Sequence, residues 1–425
     1  MNAFDKIIGY ESIKSELMQL CDMIQNKSAY EKLGAKLPKG ILLHGEPGLG
    51  KTLMAKCFIA ESGLESYMIR RTKGTNDFVK EITNIFNDAK NHAPSIVFLD
   101  DLDKFANEDD RHKDAEEYVA VQAGIDELDD AEVIVVATAN EIKKLPASLQ
   151  RSGRFDRKIE VMLPAEKDSG DIIKHYLNNK ELADDVNFDD ITRMIRYSSC
   201  AELETIMNEA AINAAYAKRE NISMKDILNA VLRMEYNSPD SYTKATDEDI
   251  QKSSLHEAGH VVVCEVLCPG SVGLASIRKS GRDNTGGFMR RCKNLTRRPQ
   301  EILVSLGGKA AVELYYSEAC ASGCYSDIRK AFKQVRAGLL ESGTYGLGGI
   351  DVSMWGIEMS ENMNSRSEAI VHAELERFMF KAKDILIKNR DFLEKVVDAL
   401  AEKETLLYSD IQEIRDKVNV VEVAL

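Results

Sequence analysis

The sequence predicts a multidomain chain: an α/β first domain, a small all-helical second domain and a mostly helical third. Three observations carry this expectation. Short apolar runs alternate with helical patterns over residues 1–165. No strand-like run occurs between residues 168 and 235. From about Asp247 onward helical patterns dominate, broken by a glycine-rich stretch at 271–289 that suggests a small sheet. At 425 residues, length alone suggests two or three domains. The expected boundaries are 1–165, 166–237, a linker at 238–248, and 249–425.

Taken in order, residues 40–44 (GILLH), 95–100 (SIVFLD) and 133–138 (VIVVAT) are β-rich runs too short for helices. Apolar residues on both faces mark buried parallel strands. Helical segments such as 52–61 and 76–92 lie between them, and this alternation predicts a sheet covered on both faces. Residues 108–117 (EDDRHKDAEE) read as a solvated loop or helix start. Residues 202–219 form a strongly amphipathic helix, and 223–234 a second one with Ser223 as its cap. The turn-rich stretch 237–241 (NSPDS) is the candidate linker. The last 60 residues read as long amphipathic helices ending near Val421.

Composition narrows the function classes. Lys and Arg number 56 against 70 Asp and Glu, a net charge of −14. That argues against a general nucleic-acid binder, which needs clustered cations, and against a binder of anionic membranes. No stretch of about 18 apolar residues predicts a transmembrane helix. The start lacks the basic and apolar pattern of a signal peptide. Eight scattered cysteines without a C-x-x-C pair do not make a disulfide framework. The chain reads as cytosolic and reduced.

Residues 45–52 (GEPGLGKT) match G-x-x-x-x-G-K-[ST], after a strand and before a helix. Gly45, Gly48 and Gly50, with Pro47 among them, let backbone N–H groups curl around phosphate oxygens. Lys51 reaches the β and γ phosphates and Thr52 offers a hydroxyl to Mg²⁺, at a helix N-terminus whose dipole favours anions. The run 95–103 (SIVFLDDLD) ends a second strand in acids. Asp100 suits Mg²⁺ coordination, and Asp101 would orient or deprotonate the attacking water. Asn140 ends the third strand, where its side chain could hydrogen-bond a γ-phosphate or its water. Arg151, Arg154 and Arg157 lie within seven residues. Arginines from a neighbouring subunit can stabilise phosphoryl transfer, although isolated surface arginines are usually salt-bridged.

With those residues in view, 2–234 resembles an AAA+ ATPase module. Ile8, Gly9 and Tyr10 match its adenine-side segment, and 149–157 (LQRSGRFDR) its second region of homology. The resemblance implies Asn140 as sensor 1, Arg151 and Arg154 as arginine fingers, the helical domain as lid, and a ring, usually of six subunits.

Residues 256–260 (HEAGH) are H-E-x-x-H. On a helix, i and i+4 share a face, so His256 and His260 can bind one Zn²⁺ while Glu257 deprotonates water. Ser253 and Ser254 are possible caps, and the apolar run HVVVCEVL suits a buried helix. A coincidental helix face is the competing explanation for so short a motif. A zinc protease also needs a third ligand and an open fourth position.

Residues 322–331 (SGCYSDIRKA) resemble the segment that carries the aspartate ligand in the FtsH family of ATP-dependent zinc proteases, and 303–315 (LVSLGGKAAVELY) the helix before it. The order of ATPase, lid, linker, HEAGH and aspartate segment is similar to that family over nearly the whole chain. The resemblance implies Asp327 as third ligand, with Glu313 the alternative. Cys264 and Cys324 are either thiolate ligands or buried core residues.

Four departures stand out. The family has membrane-spanning helices before the ATPase, and this chain reaches the ATPase almost at once, which fits a soluble member or a cytosolic part. Asp100-Asp101 replaces the family's Asp-Glu. Residues 70–80 (RRTKGTNDFVK) replace its aromatic pore loop, leaving Phe78-Val79 as either a substrate grip or a core pair. Ser199-Cys-Ala-Glu202 replaces Ser-Gly-Ala-Asp in the lid.

The expectation is an ATP-dependent zinc endopeptidase whose ring, of six copies in the family's usual form, feeds polypeptide to the zinc sites, with ATP, Mg²⁺ and Zn²⁺ as cofactors. Two rivals remain open. One is a remodelling ATPase with a structural protease half. The other is a peptidase of unfolded peptides with little dependence on ATP.

Overall fold

The computed structural model describes residues 2–71, 74–107, 115–129, 131–238, 246–281, 286–316, 324–345 and 360–423. Residues 108–114 of the charged run, 239–245 of the expected linker, and Thr72 and Lys73 of the expected pore loop lie outside them. Two compact units divide the chain. The first comprises Met1–Lys180 and Tyr197–Asn208, and the second Glu181–Arg196 and Glu209–Leu425. The helical stretch 166–237 contributes to both.

The first unit begins with α1 (Glu11–Gln25) and α2 (Lys27–Glu31). There follow β1 (Gly40–His44), α3 (Lys51–Ser62), β2 (Glu65–Ile69), α4 (Thr75–Asn91), β3 (Ser95–Leu99), α5 (Ala115–Glu127), β4 (Val133–Ala139) and β5 (Arg157–Glu160). The five strands form one parallel sheet, ordered β2-β3-β4-β1-β5. The three expected strands are the central ones. β3 and β4 are buried at every position because helices cover both faces.

β2 (ESYMI) and β5 (RKIE) were not expected. They are the edge strands, and most of their residues face solvent, so they show no apolar run. α3 packs on β1 and β4, and α4 on β2, β3 and α5. α4 buries Phe78 completely, edge-on to Phe105 with ring centroids 5.2 Å apart. Of the two roles open to Phe78, the core one is realised. After β5 come α6 (Glu166–Leu177) and the first turns of α8 (Cys200–Tyr216).

The second unit contains α7 (Phe188–Met194), the rest of α8, and α9 (Met224–Tyr236). Ser223 takes the expected N-cap position, and its N–H and Oγ both donate to Asp226 Oδ2, at 2.9 and 2.7 Å. α10 (Asp247–Leu267) then leads to β6 (Val272–Ser276), β7 (Phe288–Arg291), α11 (Arg298–Tyr315), α12 (Tyr325–Leu340), α13 (Glu361–Lys388), α14 (Arg390–Lys403), β8 (Thr405–Leu407) and α15 (Tyr408–Asp416).

Two expectations are corrected here. α10 is not capped by Ser253 or Ser254, which lie inside the helix. A capping box of Thr246 and Asp249 starts it two turns earlier, with both reciprocal bonds at 3.2 Å. The C-terminal region is also not helix alone, since β8 joins the antiparallel sheet β7-β6-β8. Three residues are too few to show a period, and the partner strand lies far back in the chain.

α10 and α11 cross very closely. A Cβ at Gly259 would lie 2.3 Å from Gly307 O, and one at Gly307 would lie 2.6 Å from Gly259 O. Around that crossing, Val262, Val263, Leu303, Leu306, Phe378 and Leu393 belong to one buried core. The turn after α10 is pinned by Glu265, which is fully buried. Its carboxylate accepts from the N–H groups of Gly270, Ser271 and Val272 at 2.8, 2.9 and 2.9 Å, and from Gln412 Nε2 at 3.1 Å. Among the described residues no helix is long and apolar enough to cross a membrane, and no disulfide forms.

Candidate nucleotide and metal sites

In the first unit the site lies at the C-terminal tips of β1, β3 and β4, where open parallel sheets bind ligands. After β1 the chain turns back on itself. Gly45, Gly48 and Gly50 have φ of 147°, 80° and 85°. A Cβ at Gly45 would meet Val161 O at 2.0 Å, so the turn requires glycine there. Pro47 is exposed on the loop. Gly50 caps α3 without a side chain, so the first-turn N–H groups remain available to an anion.

Lys51 Nζ donates to Gly45 O and Glu46 O at 2.7 and 2.6 Å, which holds the ammonium over the loop. Its burial lowers its pKa. Thr52 Oγ1 and Thr138 Oγ1 both donate to Asp100 Oδ1, at 2.9 and 3.0 Å. Thr138 Oγ1 also accepts from Asp101 N at 2.9 Å, tying the two acids to β4. Asp101 has left-handed backbone, φ 55°, and its Oδ2 lies 2.6 Å from Lys104 Nζ. Asn140 N donates to Asp103 Oδ1 at 3.1 Å. Lys51, Thr52, Asp100, Asp101 and Asn140 thus share one end of the sheet.

Beside the loop is a pocket of about 360 Å³, lined by Ile8, Tyr10, Gly48 and Gly50 among others. Gly9, with φ 70°, leaves room for the Asp168 side chain, which a Cβ would meet at 2.7 Å. Tyr10 OH donates to Met162 O at 3.0 Å and lies 3.6 Å from Cys200 Sγ; burial and that thiol raise its pKa. The unusual turn at 199–202 opens α8 as a capping box, with Ser199 N donating to Glu202 Oε2 at 2.7 Å. Ala201 N donates to Gly48 O at 3.0 Å, so this turn rests on the phosphate loop.

His175, Tyr176 and Glu204 also line the pocket. Nothing in their local sequence marks them, because tertiary packing alone brings them there. Arg151 is exposed. Arg154 is held by Asp126, with its Nε and a terminal nitrogen 2.9 and 2.8 Å from the two carboxylate oxygens, and by Ser148 O at 2.5 Å. Arg157 Nε bonds Glu16 Oε1 at 2.5 Å.

In the second unit α10 carries His256, Glu257 and His260, and the first turn of α12 carries Asp327. The two Nε2 atoms are 3.2 Å apart. Asp327 Oδ2 lies 3.3 Å from His256 Nε2 and 3.4 Å from His260 Nε2. Among the described residues these three are the cluster able to hold a metal ion, with ligand atoms within 4.8 Å of one another. Two imidazoles and a carboxylate are a donor set that suits zinc with one position open.

His260 Nδ1 bonds Val304 O at 2.7 Å, which keeps the proton on Nδ1 and turns the Nε2 lone pair to the cluster. Burial opposes the charged form of His260, yet the hydrogen bond and charge of Asp327 raise its pKa. Burial would raise Asp327, but its contacts with His256 and His260 hold its carboxyl far below the usual range. Glu257 is buried beside them, and that burial raises its pKa.

Two glycines shape the site. A Cβ at Gly308 would lie 2.5 Å from His260 Nε2 and 2.6 Å from His256 Cε1, and one at Gly287 would lie 2.5 Å from Glu257 Oε1. Sequence reasoning missed both, since a close approach between elements leaves no local signal. Glu313 lies away from the cluster, its carboxylate held by Lys309 and Lys383 at 2.5 and 2.8 Å. Cys264 Sγ sits 3.1 Å from Ser271 Oγ, and burial pushes its thiol up to about 12, the behaviour of a neutral core residue. Cys324 Sγ lies 3.9 Å from Nδ1 of His256, the ring nitrogen that does not meet the other ligands.

Two family models match the chain: the ATPase family associated with various cellular activities over residues 41–163, and peptidase family M41 over residues 244–414. The chain is similar to the ATP-dependent zinc metalloprotease FtsH of Leptotrichia buccalis, with 32% identity over 97% of this chain and 56% of the relative. The namesake of Streptobacillus moniliformis is 32% identical over 99% of this chain and 65% of that protein. ATP-dependent zinc metalloprotease FtsH 3 of Symbiobacterium thermophilum is 30% identical over 98% of this chain and 71% of the relative. The chain thus spans less than two thirds of the length of the first two. A phosphate loop in one unit, a His-His-Asp cluster in the other, and likeness along nearly the whole chain agree: the chain belongs to the FtsH family of ATP-dependent zinc metalloproteases.

Proposed function

We propose that this chain is an ATP-dependent zinc endopeptidase that works as a homo-oligomeric ring, with six copies as the expected size, on polypeptide substrates. The observation that carries the reading is the convergence of His256 Nε2, His260 Nε2 and Asp327 Oδ2 beside buried Glu257. We assign 1–165 to the ATPase, 166–237 to its lid, 238–248 to a linker and 249–425 to the protease. A cytosolic setting is our reading from eight scattered cysteines without a disulfide framework.

His256, His260 and Asp327 hold zinc. Bound there, zinc supplies a Lewis acid that polarises the peptide carbonyl and makes water more acidic. Glu257 takes the proton of the attacking water on its carboxylate and returns it to the leaving amine. In the ATPase, Lys51 and the amides at Gly48 and Gly50 bind the phosphates, Gly45 makes the turn that presents them while its own N–H donates to Ala139 O at 3.2 Å, and Thr52 and Asp100 would hold Mg²⁺. Ile8, Gly9 and Pro47 complete the nucleotide's surroundings. Asp101 orients the attacking water, Asn140 senses the γ-phosphate, and Arg151 and Arg154 act on the neighbouring subunit's nucleotide.

One alternative has specific support. Phe78 is in the core rather than on a loop, and Asp101 is paired with Lys104. Both favour a peptidase of unfolded chains that depends little on ATP. The test is digestion of one folded and one unfolded protein, each with and without ATP. ATP-dependent cleavage of the folded protein is expected. Equal cleavage of the unfolded protein with and without ATP, and none of the folded one, selects the alternative. No cleavage under any condition removes both.

A further inference from the structure

The metal cluster opens into a cleft of about 750 Å³. Among the described residues, the cations that line it are Lys252, Arg291 and Lys330. Lys252 Nζ is 2.7 Å from Glu248 Oε1, and Arg291 is 2.8 Å from Glu301 Oε1, so both have carboxylate partners. Lys330 differs. Among the described residues its ion-pair partner is Asp327, whose Oδ1 lies 3.5 Å away. Asp327 is also the carboxylate that the two imidazoles engage through Oδ2. The Lys330 side chain is 69% exposed.

We propose that Lys330 selects peptide substrates that place a carboxylate beside Asp327 in the cleft. The inference rests on the peptidase reading and names its substrate class. A metal ion held through Asp327 Oδ2 would offset that carboxylate's charge and leave the exposed ammonium available to a second anion at the cleft wall. The net charge of −14 belongs to the whole chain. Screening over about 8–10 Å leaves the charges that line the cleft to decide what docks there. Opposite charges at such a surface mainly set specificity. The carboxylate has two possible sources, an Asp or Glu side chain and a peptide's own C-terminus.

The experiment uses the full chain loaded with zinc and three fluorogenic peptides. Two are amidated and differ only in carrying Asp or Lys around the cleaved bond. The third is neutral with a free C-terminal carboxylate. The ratio of kcat/KM between peptides is compared in the parent, Lys330→Arg and Lys330→Glu, which cancels any general loss of activity. The expected result is an Asp/Lys ratio that falls about tenfold in Lys330→Glu, the reversal of one exposed charge, and holds in Lys330→Arg. If the free-carboxylate peptide shows the effect instead, the source is the C-terminus and the inference stands. Ratios that Lys330→Glu leaves unchanged for every peptide overturn it. Peptide binding to zinc-loaded Glu257→Gln is followed in parallel by fluorescence anisotropy. If no peptide is cut by the parent but carboxylate peptides bind in a Lys330-dependent way, the peptidase reading fails and this inference survives. Equal binding of all three peptides overturns the inference.

Discussion

The two candidate sites are built on opposite plans. The nucleotide site is mostly backbone and local. One octapeptide supplies the loop, and its glycines adopt φ values that other residues avoid. The metal site is mostly side chain and non-local. Its donors come from two helices far apart in sequence, and a third helix, α11, supports them. A loop site tolerates changes elsewhere as long as the strand tips hold. A helix-packed site depends on the spacing of helices, which a single methyl group can alter.

If the plans are independent, each site should fail alone. Asp327→Ala removes one of three donors and should empty the zinc site, abolishing cleavage while ATP binding persists. Lys51→Ala should do the reverse, losing ATP with about one zinc per chain retained. Metal content by atomic emission and nucleotide affinity by calorimetry read both. Loss of both ligands in either variant would break the comparison.

A smaller effect sharpens it. Gly308→Ala adds a methyl group within 2.5–2.7 Å of both imidazoles. Zinc affinity should fall about 10–100-fold, the range seen when a ligand's supporting contacts are disturbed. Competition with a chromophoric chelator measures it, with circular dichroism confirming the fold. Unchanged affinity would mean that the helices move apart at little cost.

The smallest effect belongs to the nucleotide site. Lys104 is exposed and pairs with Asp101 at 2.6 Å. Removing an exposed partner of this kind is worth about 0.2–1 kcal/mol. Lys104→Met should free the Asp101 carboxylate and raise the ATPase rate by about two- to fivefold, with nucleotide affinity unchanged. A fall in rate would show instead that Lys104 positions Asp101 for its task.

The same contrast explains what the sequence made legible. The runs at 40–44, 95–100 and 133–138 stood out because burial on both faces of the strands they contain leaves an unbroken apolar stretch. β2 and β5 did not, because most edge positions are polar. The phosphate loop was readable because it is contiguous, and the two histidines because helical spacing puts i and i+4 on one face. Asp327 was reachable only through the resemblance to a known family, since no spacing rule links it to His260. Gly308 and Gly287 were invisible, because what they avoid is a clash with distant residues. The start of α10 was misplaced because serines inside a helix look like caps until the true box at Thr246 and Asp249 is seen.

β8 and the Gln412 contact to Glu265 have a bearing on biosynthesis. Leu407 pairs with Leu274, and Gln412 reaches a carboxylate one turn beyond His260 on the same helix. The second unit therefore cannot close until more than a hundred further residues have left the ribosome. Emerging chains generally fold domain by domain from the N-terminus. The first unit, whose last segment is Tyr197–Asn208, can settle well before that point. Nascent chains halted near residue 400 should therefore expose an ordered nucleotide unit and an unfinished, protease-sensitive metal unit.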